Sequence, residues 1–170
     1  MIAFKTFGTV GSNDMKRTKM ISIRRATPEQ AGLLTTITLA AKRYWNYPEN
    51  WIQAWFPSLT ISAEYVLANE TWVAVEGEEC VAYYSLNQDD ESLWLDNLWV
   101  LHEFMGQGIG RELFRHVLER GRFLGAIALK IEADPNAQSF YEKMGARKIG
   151  ERHTEVVGQL RTLPVMEIKL

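Results

Sequence analysis

Cysteine is almost absent: the 170-residue chain has one, Cys80. An internal disulfide is therefore excluded, which fits a reducing compartment such as the cytoplasm. Long apolar runs are missing too. Nothing approaches the roughly 18 consecutive apolar residues of a membrane span, and the N-terminus lacks the apolar centre of a signal peptide. Charge of either sign is hardly in excess: the net value is −2, which argues against a nucleic-acid or anionic-membrane surface. No internal repeat or low-complexity tract stands out. Histidine is scarce, and His102, His116 and His153 have no Cys, His or carboxylate at metal-ligand spacing, so no metal is expected.

What is present describes one globular domain. Hydrophobic residues make up 46% and charged residues 24% of the chain, the balance of a protein with a core. A chain of this length can bury roughly 70% of its unfolded surface. Residues 1–19 lack periodicity and read as a flexible leader, its Lys16, Arg17 and Lys19 a solvated cluster. Residues 20–170 then form a single domain.

Periodicity outlines that domain. "MISIRRA" (20–26) alternates like a strand. Thr27, Pro28 and Gln30 carry the signature of a helix start, with Ala31, Leu34, Ile37 and Ala41 as the inner face. A second helix restarts at Pro48, places Trp51 and Trp55 one turn apart, and is expected to end or kink at Pro57. Ser62 opens a third, short helix to about Ala68. Three alternating runs follow, "TWVAV", "CVAYYSL" and "SLWLDNLWV", separated by turn residues, so an antiparallel meander is expected. "GRELFRHVLERGRFL" has one apolar side and reads as an amphipathic helix. The strand "AIALKIEA" follows that crossover helix and should run parallel to the strand before it. A short helix, "NAQSFYEKM", is stopped by Gly145. "ARKIGER" and "VMEIKL" finish as strands.

Between the meander and the amphipathic helix lies "FMGQGIGREL", with glycines at 106, 108 and 110. A glycine loop leading into a helix N-terminus is an anion site: free N–H groups and the helix dipole face the ligand. A phosphate-binding P-loop would need a lysine after the last glycine, and none follows. The dinucleotide fingerprint G-x-G-x-x-G would follow the first strand of a βαβ unit. The spacing here is G-x-G-x-G, after an antiparallel meander. By itself the loop could also serve turn geometry alone.

The stretch "LWLDNLWVLHEFMGQGIGRELFRHVLERG" with "ALKIEADPNAQSFYEKMGARKIGE" resembles the GNAT acetyltransferase superfamily. The resemblance spans Met20 to Leu170 and is strongest over residues 93–150. It implies an α+β fold: a mixed, mostly antiparallel twisted sheet flanked by helices, with a central parallel strand pair. It implies acetyl-CoA as co-substrate, no metal, and transfer of the acetyl group to a primary amine of a small molecule or peptide by direct attack in a ternary complex. Backbone at Leu98, Trp99 and Val100 would carry the pantetheine arm. The family loop [QR]-x-x-G-x-[GA] falls on Met105, Gly106, Gln107, Gly108, Ile109 and Gly110, which would wrap the pyrophosphate. Met105 departs from the family's arginine or glutamine, leaving the cradle to backbone amides. Under the same resemblance, Arg111 would be a further phosphate contact.

The same resemblance assigns Tyr141 as the acid that protonates the departing thiolate, a role suited to a phenol of pKa about 10. Asn136 reads as a helix N-cap, or, by resemblance, as a pantetheine contact. Asp134 and Pro135 shape that turn. A Val100 N–H would receive the developing oxyanion. The amine needs a base: Asp96 and Glu132 are candidates, alongside a water chain. Cys80 reads as buried filler rather than a nucleophile. Tyr44, Trp45, Tyr47, Trp51 and Trp55 form an aromatic segment where the superfamily lines its acceptor pocket, and at least half are expected to be core packing. Two alternatives stay open: an acyl-CoA-binding module without turnover, and a transferase of another acyl group. The oligomeric state is open, with a homodimer one outcome.

Overall fold

The computed structural model describes residues 21–89 and 92–170; the leader lies outside them. Seven strands form one sheet in the order β1-β2-β3-β4-β5-β7-β6. The meander is β1 (Ile21–Arg25), β2 (Glu70–Glu76), β3 (Glu79–Gln88) and β4 (Leu93–Val100), each antiparallel to its neighbour. β5 (Ala128–Glu132) is parallel to β4, the crossover supplied by α4 (Ile109–Phe123). β7 (Gln159–Lys169) is antiparallel to β5, and β6 (Arg147–Val156) closes the far edge. The α+β fold with one parallel pair is thus the one the sequence implied.

The central strands are apolar on both faces because both are covered. In β3, Val81 to Leu86 are all buried, Ser85 included. Ala82, Tyr84 and Leu86 join Leu113, Phe114 and Val117 of α4, with Tyr141 of α5 (Gln138–Lys143), in the larger core. Tyr83, Val73 and Val75 face the other way, against Leu34 and Ile37 of α1 (Ala31–Tyr44) and Val66 of α3 (Ala63–Ala68). The helix starts follow their capping chemistry. Gln30 accepts the Thr27 N–H at 2.9 Å, and Ser62 accepts the Tyr65 N–H at 3.1 Å.

Three local expectations are corrected. α2 (Glu49–Leu59) does not stop at Pro57 but continues two residues further; so near the helix end, proline removes a single ladder bond. Asn136 is not the cap of its helical segment. Asp134 is, its carboxylate accepting the Asn136 N–H at 3.0 Å. The last two strands are also longer than the apolar runs that announced them. Charged and polar residues hide the β6–β7 hairpin, which turns at Val157 and Gly158, both with positive φ, the backbone of a two-residue hairpin turn.

Candidate active site

The site begins with a defect in strand pairing. On β3, Ser85 faces Asn97 and Leu86 faces Leu95, which leaves Asp96 of β4 as the extra residue of a bulge. A bulge bends its strand. On the other side of β4, pairing to β5 covers only Leu93 to Leu95. From Asp96 onward the two parallel strands part. The Leu101 N–H donates to the Val81 carbonyl at 2.9 Å. Antiparallel pairs alternate between hydrogen-bonded and open, so Leu98 and Val100 direct their main-chain groups away from β3, toward the gap.

A cavity of about 700 Å³ occupies that gap. Leu98, Trp99 and Val100 line it from β4, and Ile131 and Glu132 from β5. Met105, Gly106, Gln107, Gly108, Gly110 and Arg111 line it from the glycine loop and the first turn of α4. Gly106 and Gly108 have φ of +75° and +90°, the left-handed region glycine favours. A Cβ at either would meet no protein atom within 4 Å, so the space beside this backbone is open to a guest. Ile109 starts α4 and buries its side chain in the core. What it can offer is its amide, one of the first N–H groups that a helix leaves unpaired. Gln107 turns its side chain back onto the Glu103 carbonyl at 2.8 Å. The loop therefore presents main chain, with Arg111 its nearest fixed charge, and this suits a diphosphate.

Tyr141 is 6% exposed and lines the same cavity. Burial, with the Asp134 charge in support, pushes its phenol well above the usual value. Among the described residues nothing hydrogen-bonds its hydroxyl, which remains protonated and free to donate. Phe114 packs tilted on the ring at 5.6 Å and Phe140 edge-on at 5.2 Å, between centroids.

Asp96 and Glu132 both reach the cavity wall, and their surroundings differ. Asp96 Oδ2 accepts from the Tyr65 hydroxyl and, at 3.2 Å, from Asn97 Nδ2. Ser85 in turn hydrogen-bonds Tyr65 at 2.7 Å. That network holds one oxygen and leaves Oδ1 available. Glu132 instead pairs with the exposed Arg152 at 2.9 Å, which pulls its carboxylate toward solvent. Asn136 lines the cavity and donates its Nδ2 to Asp134 Oδ1 and the Tyr47 hydroxyl, each at 3.1 Å.

Of the aromatic segment, Trp45 lines the cavity. Tyr44 stacks on His102 with centroids 5.4 Å apart. Tyr47, Trp51 and Trp55 pack on one another at 5.3 to 5.9 Å and do not line this cavity. Tyr47 and Trp55 face a cluster that sequence reasoning passed over: Lys42, Asp134 and Arg161. Burial lowers the Lys42 ammonium below its ordinary value, although Asp134 pulls the other way. Burial would raise Asp134, but Lys42 and the hydrogen bonds from Lys42, Asn136 and Tyr47 outweigh it and hold the carboxyl below its usual range. One signal was legible: Lys42 falls on the inner face of α1, four residues after the buried Thr38. Cys80 is buried, and burial raises its thiol, so it stays protonated. Among the described residues no three His, Cys, Asp or Glu side chains group as metal ligands, and no helix is long and apolar enough to cross a membrane.

The acetyltransferase (GNAT) family matches residues 36–146, more than half of the chain. No curated protein matches in sequence. Among solved structures, a GCN5-related N-acetyltransferase from Rhodopseudomonas palustris is 22% identical, with 88% of this chain and 95% of that chain covered and a TM-score of 0.75. PaiA N-acetyltransferase from Thermoplasma acidophilum, in complex with coenzyme A, is 18% identical over 89% and 99%, at 0.70. yncA from Salmonella typhimurium, with its cofactor acetyl-CoA, is 19% identical over 88% and 94%, at 0.64. At such identities the likeness is one of fold.

Proposed function

The chain belongs to the GNAT acetyltransferase family, and we propose that it transfers an acetyl group from acetyl-CoA to a primary amine of a small molecule or peptide. The observation that carries this reading is the parting of β4 from β5 at Asp96, which opens the backbone of Leu98 and Val100 beside the glycine loop and Tyr141. Two similar structures hold coenzyme A or acetyl-CoA, which supports the same guest here.

Each wall of the cavity has a task. The amides of Gly106 to Arg111, with the dipole of α4, bind the diphosphate. The open edge of β4 at Leu98 and Val100 offers a ladder of donors and acceptors to an amide-bearing arm, and Asn136 adds a side-chain contact. When bound, acetyl-CoA supplies an acyl carbon activated by its thioester. The Val100 N–H faces the gap and can receive an oxygen that gains negative charge. Tyr141, kept neutral by burial, gives its proton to the leaving sulfur. Asp96 takes the proton of the incoming ammonium, directly or through water, with Tyr65 and Asn97 fixing its orientation. Glu132, drawn away by Arg152, is the weaker candidate. Trp45 shapes the acceptor side.

The test is thiol release from acetyl-CoA across a panel of primary amines. Tyr141→Phe should lower turnover roughly 100-fold or more while CoA affinity is kept. Turnover equal to wild type would remove Tyr141 from the acid role. CoA binding without thiol release from any amine would favour an acyl-CoA-binding module.

A further inference from the structure

The Lys42, Asp134 and Arg161 cluster is not electrically closed. Lys42 Nζ lies 2.6 Å and Arg161 Nη2 2.9 Å from the same Asp134 oxygen, Oδ2. The three side chains are 6%, 12% and 13% exposed for Lys42, Arg161 and Asp134 in turn. Two cations thus share one carboxylate out of solvent, and an unbalanced buried charge is unfavourable. Glu49, in the helix after α1, and Glu132, two residues before Asp134, are each paired elsewhere, with Arg43 and Arg152. Ring faces of Tyr47 and Trp55 lie 4.6 Å from Lys42 Nζ and 5.2 and 4.9 Å from Arg161 Cζ, which offsets only part of the excess.

Arg161 also has donors to spare. Its two hydrogen bonds, to Asp134 and to the Tyr47 hydroxyl, both use Nη2. Nε and Nη1 have no acceptor among the described residues. Nor are they sealed off: in that set Thr71 Oγ1 is the one fully buried side-chain polar atom without a partner. Asp134, which Arg161 touches, is itself part of the cavity wall.

We infer that the acceptor carries, besides its amine, a compact anionic group, a carboxylate or a phosphate, and that an unpaired guanidinium N–H of Arg161 donates to it beside Asp134. An unpaired N–H of a permanently charged guanidinium gives either anion a charge-assisted hydrogen bond, and the anion closes the cluster's charge. Lys42 is the positioning residue: by occupying Asp134, it leaves Arg161 only partly satisfied. The inference rests on the acetyl-transfer reading of the cavity.

The experiment compares kcat/KM for matched acceptors: amino acids of increasing chain length, the amines left when the carboxylate is removed, and the corresponding aminoalkyl phosphates. At least one anionic series should exceed its plain amine tenfold or more, and which one does identifies the anion. In Arg161→Gln that ratio should collapse toward one through a rise in KM, and Arg161→Lys should recover part of it. CoA affinity reports whether either variant keeps its cavity. A wild-type ratio near one, or an equal loss for charged and plain acceptors in Arg161→Gln, overturns the inference. If no amine releases thiol, acetyl transfer itself fails, and calorimetry then decides the anion site. With CoA present, N-acetylated amino acids should bind and their amides should not, and Arg161→Gln should lose the difference. Equal binding, or none, overturns the site.

Discussion

The glycine loop lines the cavity and the Lys42–Asp134–Arg161 cluster reaches it through Asp134, and the two are built in opposite ways. The loop is contiguous in sequence and offers backbone: glycines in left-handed conformation, free helix-start amides, and Met105 where the family carries a polar side chain. The cluster is gathered from α1, the turn after β5, and β7, and offers buried side chains, two cations on one carboxylate. A backbone cradle depends on chain conformation and is indifferent to most side chains. A buried ionic cluster depends most on its shared member, because removing Asp134 leaves two cations uncompensated. The contrast implies that substitutions in the loop weaken ligand binding more than the fold, and that loss of the shared Asp134 does the reverse.

The largest effect should come from Asp134→Ala. It strands two buried cations and the cap of the segment before α5, and should destabilise the protein by about 3–5 kcal/mol, read from denaturant unfolding. A loss below about 1 kcal/mol would erase the contrast. Titrating the same carboxylate should act more gently. Its folded pKa lies below the ordinary value, so its contribution is complete above the unfolded pKa of about 3.9. That contribution is lost as pH falls through the folded value. Thermal midpoints should therefore drop below about pH 4, and Asp134→Asn should flatten this acid limb.

In the loop, Gly108→Val should strain the left-handed backbone by about 1–2 kcal/mol yet lower CoA affinity at least tenfold, by calorimetry. A fold loss that exceeds the binding loss would break the comparison from the other side. The smallest effect is expected from Met105→Arg. An added exposed charge is worth about 0.2–1 kcal/mol, so CoA should bind only a few-fold tighter, with the gain removed by salt. A gain of 100-fold would mean that side-chain charge, not backbone, governs the cradle.

The same division explains what was legible in the sequence. Strand alternation, helix faces and turn residues are local, so the meander, the crossover helix and the parallel pair could all be read from them. The loop and "DPNAQSFYEKMG" are contiguous motifs, so Gly106 to Arg111 could be singled out as an anion loop and Tyr141 by resemblance to the family. The bulge at Asp96 has no local signature, since it exists only in the pairing of Ser85 and Leu86 with Asn97 and Leu95. The β6–β7 hairpin escaped because residues 152–164 are stabilised by each other's backbone and lack apolar periodicity. The cluster escaped because Lys42, Asp134 and Arg161 meet only after folding. Lys42 on the inner face of α1 was its one trace.

The most direct measurement is a structure with CoA bound. The account predicts diphosphate oxygens within about 3 Å of amides between Gly106 and Arg111, the arm along the open edge of β4, and the sulfur within hydrogen-bonding reach of the Tyr141 hydroxyl. A diphosphate held away from those amides, or a sulfur remote from Tyr141, would contradict it.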